Sequence, residues 1–201
     1  MNINELVIKT IGIDPQHESP LLFPGNRWNF LPWLFDAAGF KVGAEIGVGG
    51  GRFSKHLCET VRNLKLYSID PWQCYDYYES RYSQAHFDRD YRKAKEVLAP
   101  YNCEIVRDYS FAVAPKVRDE ALDFVFIDAN EDFDNVTRDL RDWIPKVRRG
   151  GIISGTCYYN FRDHDICQVK DAVDTWTKVH NIDPWFVVVH QRYPTFFWVR
   201  E

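Results

Sequence analysis

The sequence predicts a doubly wound α/β domain with a mostly parallel sheet and helices on both faces, and three observations carry that expectation. Apolar strand-like runs alternate with segments of helical period about five times before two closing strands, the pattern of βαβ units. The run at 122–127, Leu-Asp-Phe-Val-Phe-Ile, is nearly continuous apolar, as befits a central strand covered on both faces. Glu45 to Gly51, Asp70, Asp108 and Asp128 all fall where strands end, and in open α/β sheets ligands sit beyond the carboxyl ends of the strands.

In chain order, residues 2–13 form a short helix with Leu6, Val7 and Ile11 on one side, and prolines and glycine over 20–25 break the pattern. Trp28, Leu31, Trp33, Leu34 and Phe35 give a second helix with Gly39 as its stop; Pro32 suits a first turn better than an interior. Residues 1–40 therefore read as a helical leader packed on the domain at 41–201, capping a sheet edge, with a lid over the site as the other reading. A strand before Gly47 comes next, then a helix striped by Phe53, Leu57, Val61 and Leu64, and a second strand at 66–69. An aromatic-rich loop over 72–82, with Tyr75, Tyr77, Tyr78 and Tyr82, leads to a helix striped by Phe87, Tyr91, Ala94 and Leu98. Strands follow at 104–106, 122–127 and 152–154, separated by a short helix over 111–117 and one striped by Phe133, Val136, Leu140 and Trp143. A last helix carries Val169, Ala172, Val173 and Trp176. The strands at 185–189 and 195–199 are joined closely enough for an antiparallel hairpin, which makes seven strands in all.

With 201 residues, 45% of them hydrophobic and 27% charged, the chain is sized for one buried core. A formal charge of −4 gives no reason to expect nucleic acid as a partner. Five scattered cysteines without a C-x-x-C pair fit a reducing compartment, no run is long enough to span a bilayer, and residues 1–10 lack a signal-peptide core. A cytoplasmic protein without membrane association is the expectation, and its oligomeric state is not legible.

The stretch 42–70 organises the rest. Gly47, Gly49, Gly50 and Gly51 lie where a strand gives way to a helix, so amide N–H groups can face a polar ligand without a Cβ between them. Asp70 closes the next strand about 20 residues on, where a carboxylate can accept from a ribose diol. A dinucleotide fingerprint would need a glycine at Arg52, and Glu45 would sit awkwardly beside a pyrophosphate but comfortably beside an ammonium or sulfonium group.

On Glu45-Ile46-Gly47-Val48-Gly49-Gly50-Gly51, Ile69-Asp70-Pro71-Trp72, Phe126-Ile127-Asp128-Ala129 and Arg149-Gly150-Gly151-Ile152-Ile153, the chain from residue 42 onward resembles the class I S-adenosylmethionine-dependent methyltransferases, with their Rossmann-like sheet. The last two blocks are similar to a small-molecule branch that holds macrocin and catechol O-methyltransferase-like enzymes. The resemblance implies transfer of a methyl group from S-adenosylmethionine to a small acceptor, with S-adenosylhomocysteine as product. It implies that Glu45, Gly47, Gly49, Gly51, Arg52 and Phe53 hold the methionine part of the cofactor. Asp70, Pro71 and Trp72 would serve the ribose and adenosine side, Asp108 and Ser110 would lie near the adenine, and Asp128 would reach the methionine end or the acceptor.

If the acceptor is a hydroxyl, the protein has to align it and remove its proton. Asp128 is the first candidate, Glu131 and His164 are further ones, and Asp165 lies beside His164. In the families this chain resembles, the resemblance implies a divalent cation held by an acid here and an Asp-Asn pair after the fifth strand in the metal-dependent members, and a His-Asp pair there in the nearer branch. The nearer branch also has a His after its Ile-Asp-Ala block; this chain has Glu131 there and Thr156-Cys157 in place of His-Asp, so metal dependence is doubtful and no metal ligand is assigned. The remaining histidines and Cys157 read as structural. Tyr158, Tyr159 and Phe161 belong by position to the same rim and could wall an acceptor pocket. Two alternatives stay open: a nicotinamide-dependent oxidoreductase, and a protein that binds S-adenosylmethionine without catalysis.

Overall fold

The computed structural model describes residues 2–14, 16–74, 82–161, 167–189 and 192–201. Helix α1 is Ile3–Ile11, closed at its start by a reciprocal pair of hydrogen bonds between Asn2 and Glu5. Strand β1 is Leu21–Pro24, and helix α2 is Arg27–Ala37, whose Asn26 side chain accepts from the Trp28 amide. Then come β2 (Val42–Ile46), α3 (Arg52–Thr60), β3 (Lys65–Ile69), α4 (Gln84–Leu98), β4 (Cys103–Val106), α5 (Ser110–Val113), β5 (Leu122–Ile127) and α6 (Phe133–Trp143). The chain finishes with β6 (Val147–Gly155), a small pair β7 (Asn160–Phe161) and β8 (Cys167–Gln168), α7 (Val169–Val179), β9 (Trp185–Val189) and β10 (Thr195–Val199).

The main sheet runs β1-β9-β10-β6-β5-β2-β3-β4. Strands β6, β5, β2, β3 and β4 are mutually parallel, and β10 is antiparallel to both β6 and β9. The closing hairpin is as the sequence leads one to expect, but the sheet has eight strands. The extra one is β1, which pairs parallel with β9, Leu21 opposite Phe186 through Pro24 opposite Val189. Two reversals, at β10 and again at β9, leave β1 running in the same direction as β5 and β6. Its C-terminal end therefore opens onto the same rim as theirs.

Alternation along β5 shows how the two faces are filled. Phe124 and Phe126 point to the layer that holds Val7, Leu31, Phe35 and Leu57, while Val125 and Ile127 point to the layer of Val136, Leu140, Trp143 and Val173. Residues 1–40 thus share a core with the central strands. A third, smaller cluster of Val48, Trp72, Ala94 and Leu98 fastens α4 beneath the turn that follows β2. Strand β6 begins at Val147, earlier than the Gly150-Gly151 boundary suggests, because a single 3₁₀ turn, Ile144–Lys146, ends the preceding helix and the strand absorbs an irregularity opposite Leu122 and Phe124.

Candidate functional site

Strand order reverses between β2 and β5, and a cavity of about 830 Å³ opens at their carboxyl ends. The Gly47 amide donates to the Ile69 carbonyl and the Asp128 amide to the Ile46 carbonyl, so three strand ends are laced together at the cavity floor. Gly47 has φ +86°, and a Cβ there would lie 2.0 Å from the Asp128 carbonyl oxygen, so no other residue fits. At Gly49 nothing lies within 4 Å of a would-be Cβ, and the cavity keeps that space open.

Asp70 ties this turn down. Its Oδ2 accepts from the amides of Val48 and Gly49 at 2.8 and 3.0 Å, and its Oδ1 accepts from the Trp72 amide at 2.7 Å. Burial raises its pKa against the pull of these bonds. A carboxylate offers about four acceptor positions and three are engaged, which leaves one for a ligand hydroxyl. Glu45, 2% exposed, accepts from the Ser54 hydroxyl, which lies 2.6 Å from that of Ser68. Burial pushes the Glu45 carboxyl well above the usual range, with the charge of Asp128 adding to the effect, so a cation placed against it would be strongly favoured.

At the far end, Tyr109, Ser110 and Phe111 line the cavity together with Asp139, whose buried carboxyl accepts from Ser110 Oγ and is pushed up to about 6, chiefly by burial. On the other side of β2, Asp128 also reaches about 6, from burial first, with Arg27 lowering it and Glu131 and Asp70 raising it. Its side chain is 31% exposed to the cavity, so it can meet a ligand. Glu131 lines the same space.

Of the residues singled out from sequence, Glu45, Gly47, Gly49, Arg52, Phe53, Asp70, Pro71, Ser110, Asp128 and Glu131 all line the cavity. Gly51 lies behind the turn, a Cβ there meeting Val97 and Ala94 of α4. Trp72 is fully buried and does not reach the cavity: its Nε1 donates to the Gly49 carbonyl at 2.8 Å and its ring packs on Tyr91. Asp108 faces away, into a separate recess, with Lys116 at 3.2 Å, and its neighbour Tyr109 takes the place expected of it. Tyr158 is buried and donates to Asp174, whereas Tyr159 and Tyr193 lie on the cavity wall. Cys157 is buried and its thiol is pushed up by burial and by Asp128 and Glu131, which suits packing. His164, Asp165, His190, Tyr75, Tyr77 and Tyr78 lie outside the described residues.

Sequence reasoning missed Arg27, Trp28 and Asp139 in this wall. Arg27 follows β1 after only Gly25 and Asn26, so its place on the rim depends on a strand whose prolines and glycine look like a break in the sequence. Among the described residues, no helix is long and apolar enough to cross a membrane and no cluster of three or more His, Cys, Asp or Glu is placed for a metal ion.

Curated protein sequences hold no match to this chain. Solved structures share its fold at low identity. A Staphylococcus aureus protein provisionally described as a caffeoyl-CoA O-methyltransferase is 14% identical with a TM-score of 0.67, covering 100% of this chain and 93% of its own. The O-methyltransferase of Bacillus cereus, in complex with S-adenosylhomocysteine, is 17% identical with a TM-score of 0.60, covering 98% and 90%. The O-methyltransferase TomG of Streptomyces achromogenes, involved in tomaymycin synthesis and in complex with S-adenosylmethionine, is 15% identical with a TM-score of 0.60, covering 99% and 89%. The stretch from β2 to the end of β6, which builds the glycine turn, Asp70 and Asp128, matches the methyltransferase domain family over residues 44–155, and the chain belongs to that family.

Proposed function

We propose that this protein moves a methyl group from S-adenosylmethionine to a small-molecule acceptor, at a hydroxyl oxygen. The observation that carries this reading is Glu45: a buried carboxylate, held above its usual range by its surroundings, at the cavity floor and one glycine turn from Asp70. A ligand with an ammonium or sulfonium charge relieves that burden, and a dinucleotide pyrophosphate would add to it. The cofactor's two ends fit the residues present, since Asp70 retains an acceptor position for a ribose hydroxyl and Gly49 leaves room for close approach of a ligand to the main chain. The Bacillus and Streptomyces neighbours, which hold the same cofactor or its product, support this choice.

When bound, S-adenosylmethionine supplies a methyl carbon already activated by its sulfonium. The chain's own residues have the remaining tasks. Glu45, Arg52 and Phe53 enclose the methionine end, Ser110 and Tyr109 the adenine end, and Asp128 removes the acceptor proton, its pKa near 6 leaving it ionised at neutral pH. Tyr159 and Tyr193 wall the acceptor side. Residues 1–40 act as an integral part of that wall through Arg27 and Trp28.

Calorimetry tests the donor half. S-adenosylhomocysteine should bind with micromolar affinity and NADH should not; the reverse result would end this reading. Formation of S-adenosylhomocysteine over a panel of hydroxylated acceptors tests the transfer itself.

A further inference from the structure

The β5–β6 side of the cavity holds a cation that the chemistry above leaves without a task. The Arg27 side chain is only 12% exposed. Its Nη1 donates to Thr156 Oγ1 at the end of β6, and its Nη2 lies 3.7 Å from Asp128 Oδ2 at the end of β5. The guanidinium carbon is 5.8 Å from the ring centre of Trp28 and 5.7 Å from those of Phe53 and Phe126, so three aromatic rings surround the charge. A clamped arginine–carboxylate pair closes to about 2.8 Å. Arg27 and Asp128 stand farther apart than that, with both charges bordering the same space.

The other groups that act on Asp128 or are acted on by it are carboxyls and a thiol. Around Asp128 stand Glu45 from β2, Asp70 from β3, Glu131 beyond β5 and the Cys157 thiol beyond β6, with Arg27 as the cation that lowers its pKa. A new negative charge on an acceptor oxygen would be repelled by this group unless a fixed cation met it. Asp70 follows β3, on one flank of β2, whereas Arg27 meets Thr156 and Asp128, which follow β6 and β5 on the other flank.

Resting on the methyl-transfer reading, we propose that Arg27 is a catalytic residue that binds the acceptor oxygen as an oxyanion while Asp128 takes its proton. The acceptor O–H bond breaks, the proton goes to a carboxylate oxygen of Asp128, and the electron pair stays on the acceptor oxygen. One ion pair, Arg27 with Asp128, is exchanged for another, Arg27 with the oxyanion, and the net charge of the site is unchanged. The positive charge comes from the protein's own chain, with Thr156 and the aromatic rings keeping it in place.

An ionisable, coloured hydroxyl reports this directly. 4-Nitrophenol is titrated into the full chain saturated with S-adenosylhomocysteine, at a pH just below the probe's own pKa, with a chelator present throughout, and the visible nitrophenolate band is followed. The bound probe should ionise about tenfold more readily than the free one in the wild type. Arg27→Met should abolish that gain, and Arg27→Lys, which keeps the charge but cannot span Thr156 and Asp128 together, should retain part of it. Binding of S-adenosylhomocysteine should stay within about threefold in both variants. Failure of the wild type to bind S-adenosylhomocysteine would sink the methyl-transfer reading itself. Normal cofactor-product binding with an unbound probe, with no gain in ionisation, with a gain abolished by the chelator or with one that survives Arg27→Met would overturn the role of Arg27 alone. Should the methionine variant fail to fold, an ionisation gain in Arg27→Lys equal to the wild type's would likewise overturn it.

Discussion

The indole of Trp72 donates its N–H to the carbonyl of Gly49 at 2.8 Å, from a fully buried position beneath the glycine turn. Trp72 therefore braces the main chain that faces the cavity. Trp72→Phe keeps a ring and removes the donor, and should lower stability by about 1 kcal/mol. The same change should weaken S-adenosylhomocysteine binding a few-fold, because the turn loses its fastening. Urea unfolding with an unchanged slope, together with calorimetry, checks both; unchanged affinity would mean that the turn holds its shape without the indole.

Glu45 sets stability against binding. Its folded pKa is raised by burial, so the stability it contributes is fully present below its unfolded pKa and is lost as pH rises through its folded value. Glu45→Gln, which never ionises, should melt higher than the wild type in the absence of cofactor, with an advantage that widens as pH increases. It should also weaken S-adenosylmethionine binding by at least about tenfold, since a charge-assisted contact becomes a neutral one. A variant that bound the cofactor normally would remove Glu45 from the site.

Asp128, with a pKa raised to about 6, can serve as the proposed base only when ionised. The rate should fall on the acid side with a midpoint near that value and level off above it. Asp128→Asn should lower kcat by about 10²–10⁴ and flatten that limb, with cofactor affinity nearly intact. An acid limb that persists in the asparagine variant would assign the proton to another group.

Gly47→Ala asks the least of chemistry and the most of the backbone. The added methyl would meet the Asp128 carbonyl at 2.0 Å, at a φ of +86°. Expected destabilisation is about 3 kcal/mol or more, which chemical denaturation will read. Gly49→Ala, with open space at its Cβ position, should cost less stability. The cavity should still lose cofactor affinity in that variant, because its open space is filled.

The β2–β3 side of the cavity was legible because its signals are local. A strand, a run of glycines, a helix and an acid at the end of the next strand occupy one continuous stretch, and each residue type there has a backbone reason. Asp108 and Trp72 were placed in the right neighbourhood but on the wrong side of it. Sequence position fixes which strand end a residue follows, and only the turn geometry decides whether Tyr109 or Asp108 faces inward. The β5–β6 side was harder. Strand β1 has four residues, ends on proline and pairs at an edge, so neither alternation nor length marks it. With β1 unseen, nothing in the sequence could bring Arg27 next to Asp128 across the width of the sheet. Asp139 sits on α6 in the sequence and meets Ser110 only through tertiary packing.

Strand β1 is parallel to β9 and hands the chain to Arg27 after only Gly25 and Asn26. A slip of one residue in that pairing would move the start of α2, and Arg27 with it, by about 3.3 Å along the strand direction. The glycine turn and Asp70 would feel it only at second hand, through Trp28, whose ring meets Phe53 and lies under Arg52. The two halves of the cavity therefore meet at Trp28 and Phe53: the edge strand works like one jaw of a vice whose other jaw is the glycine turn.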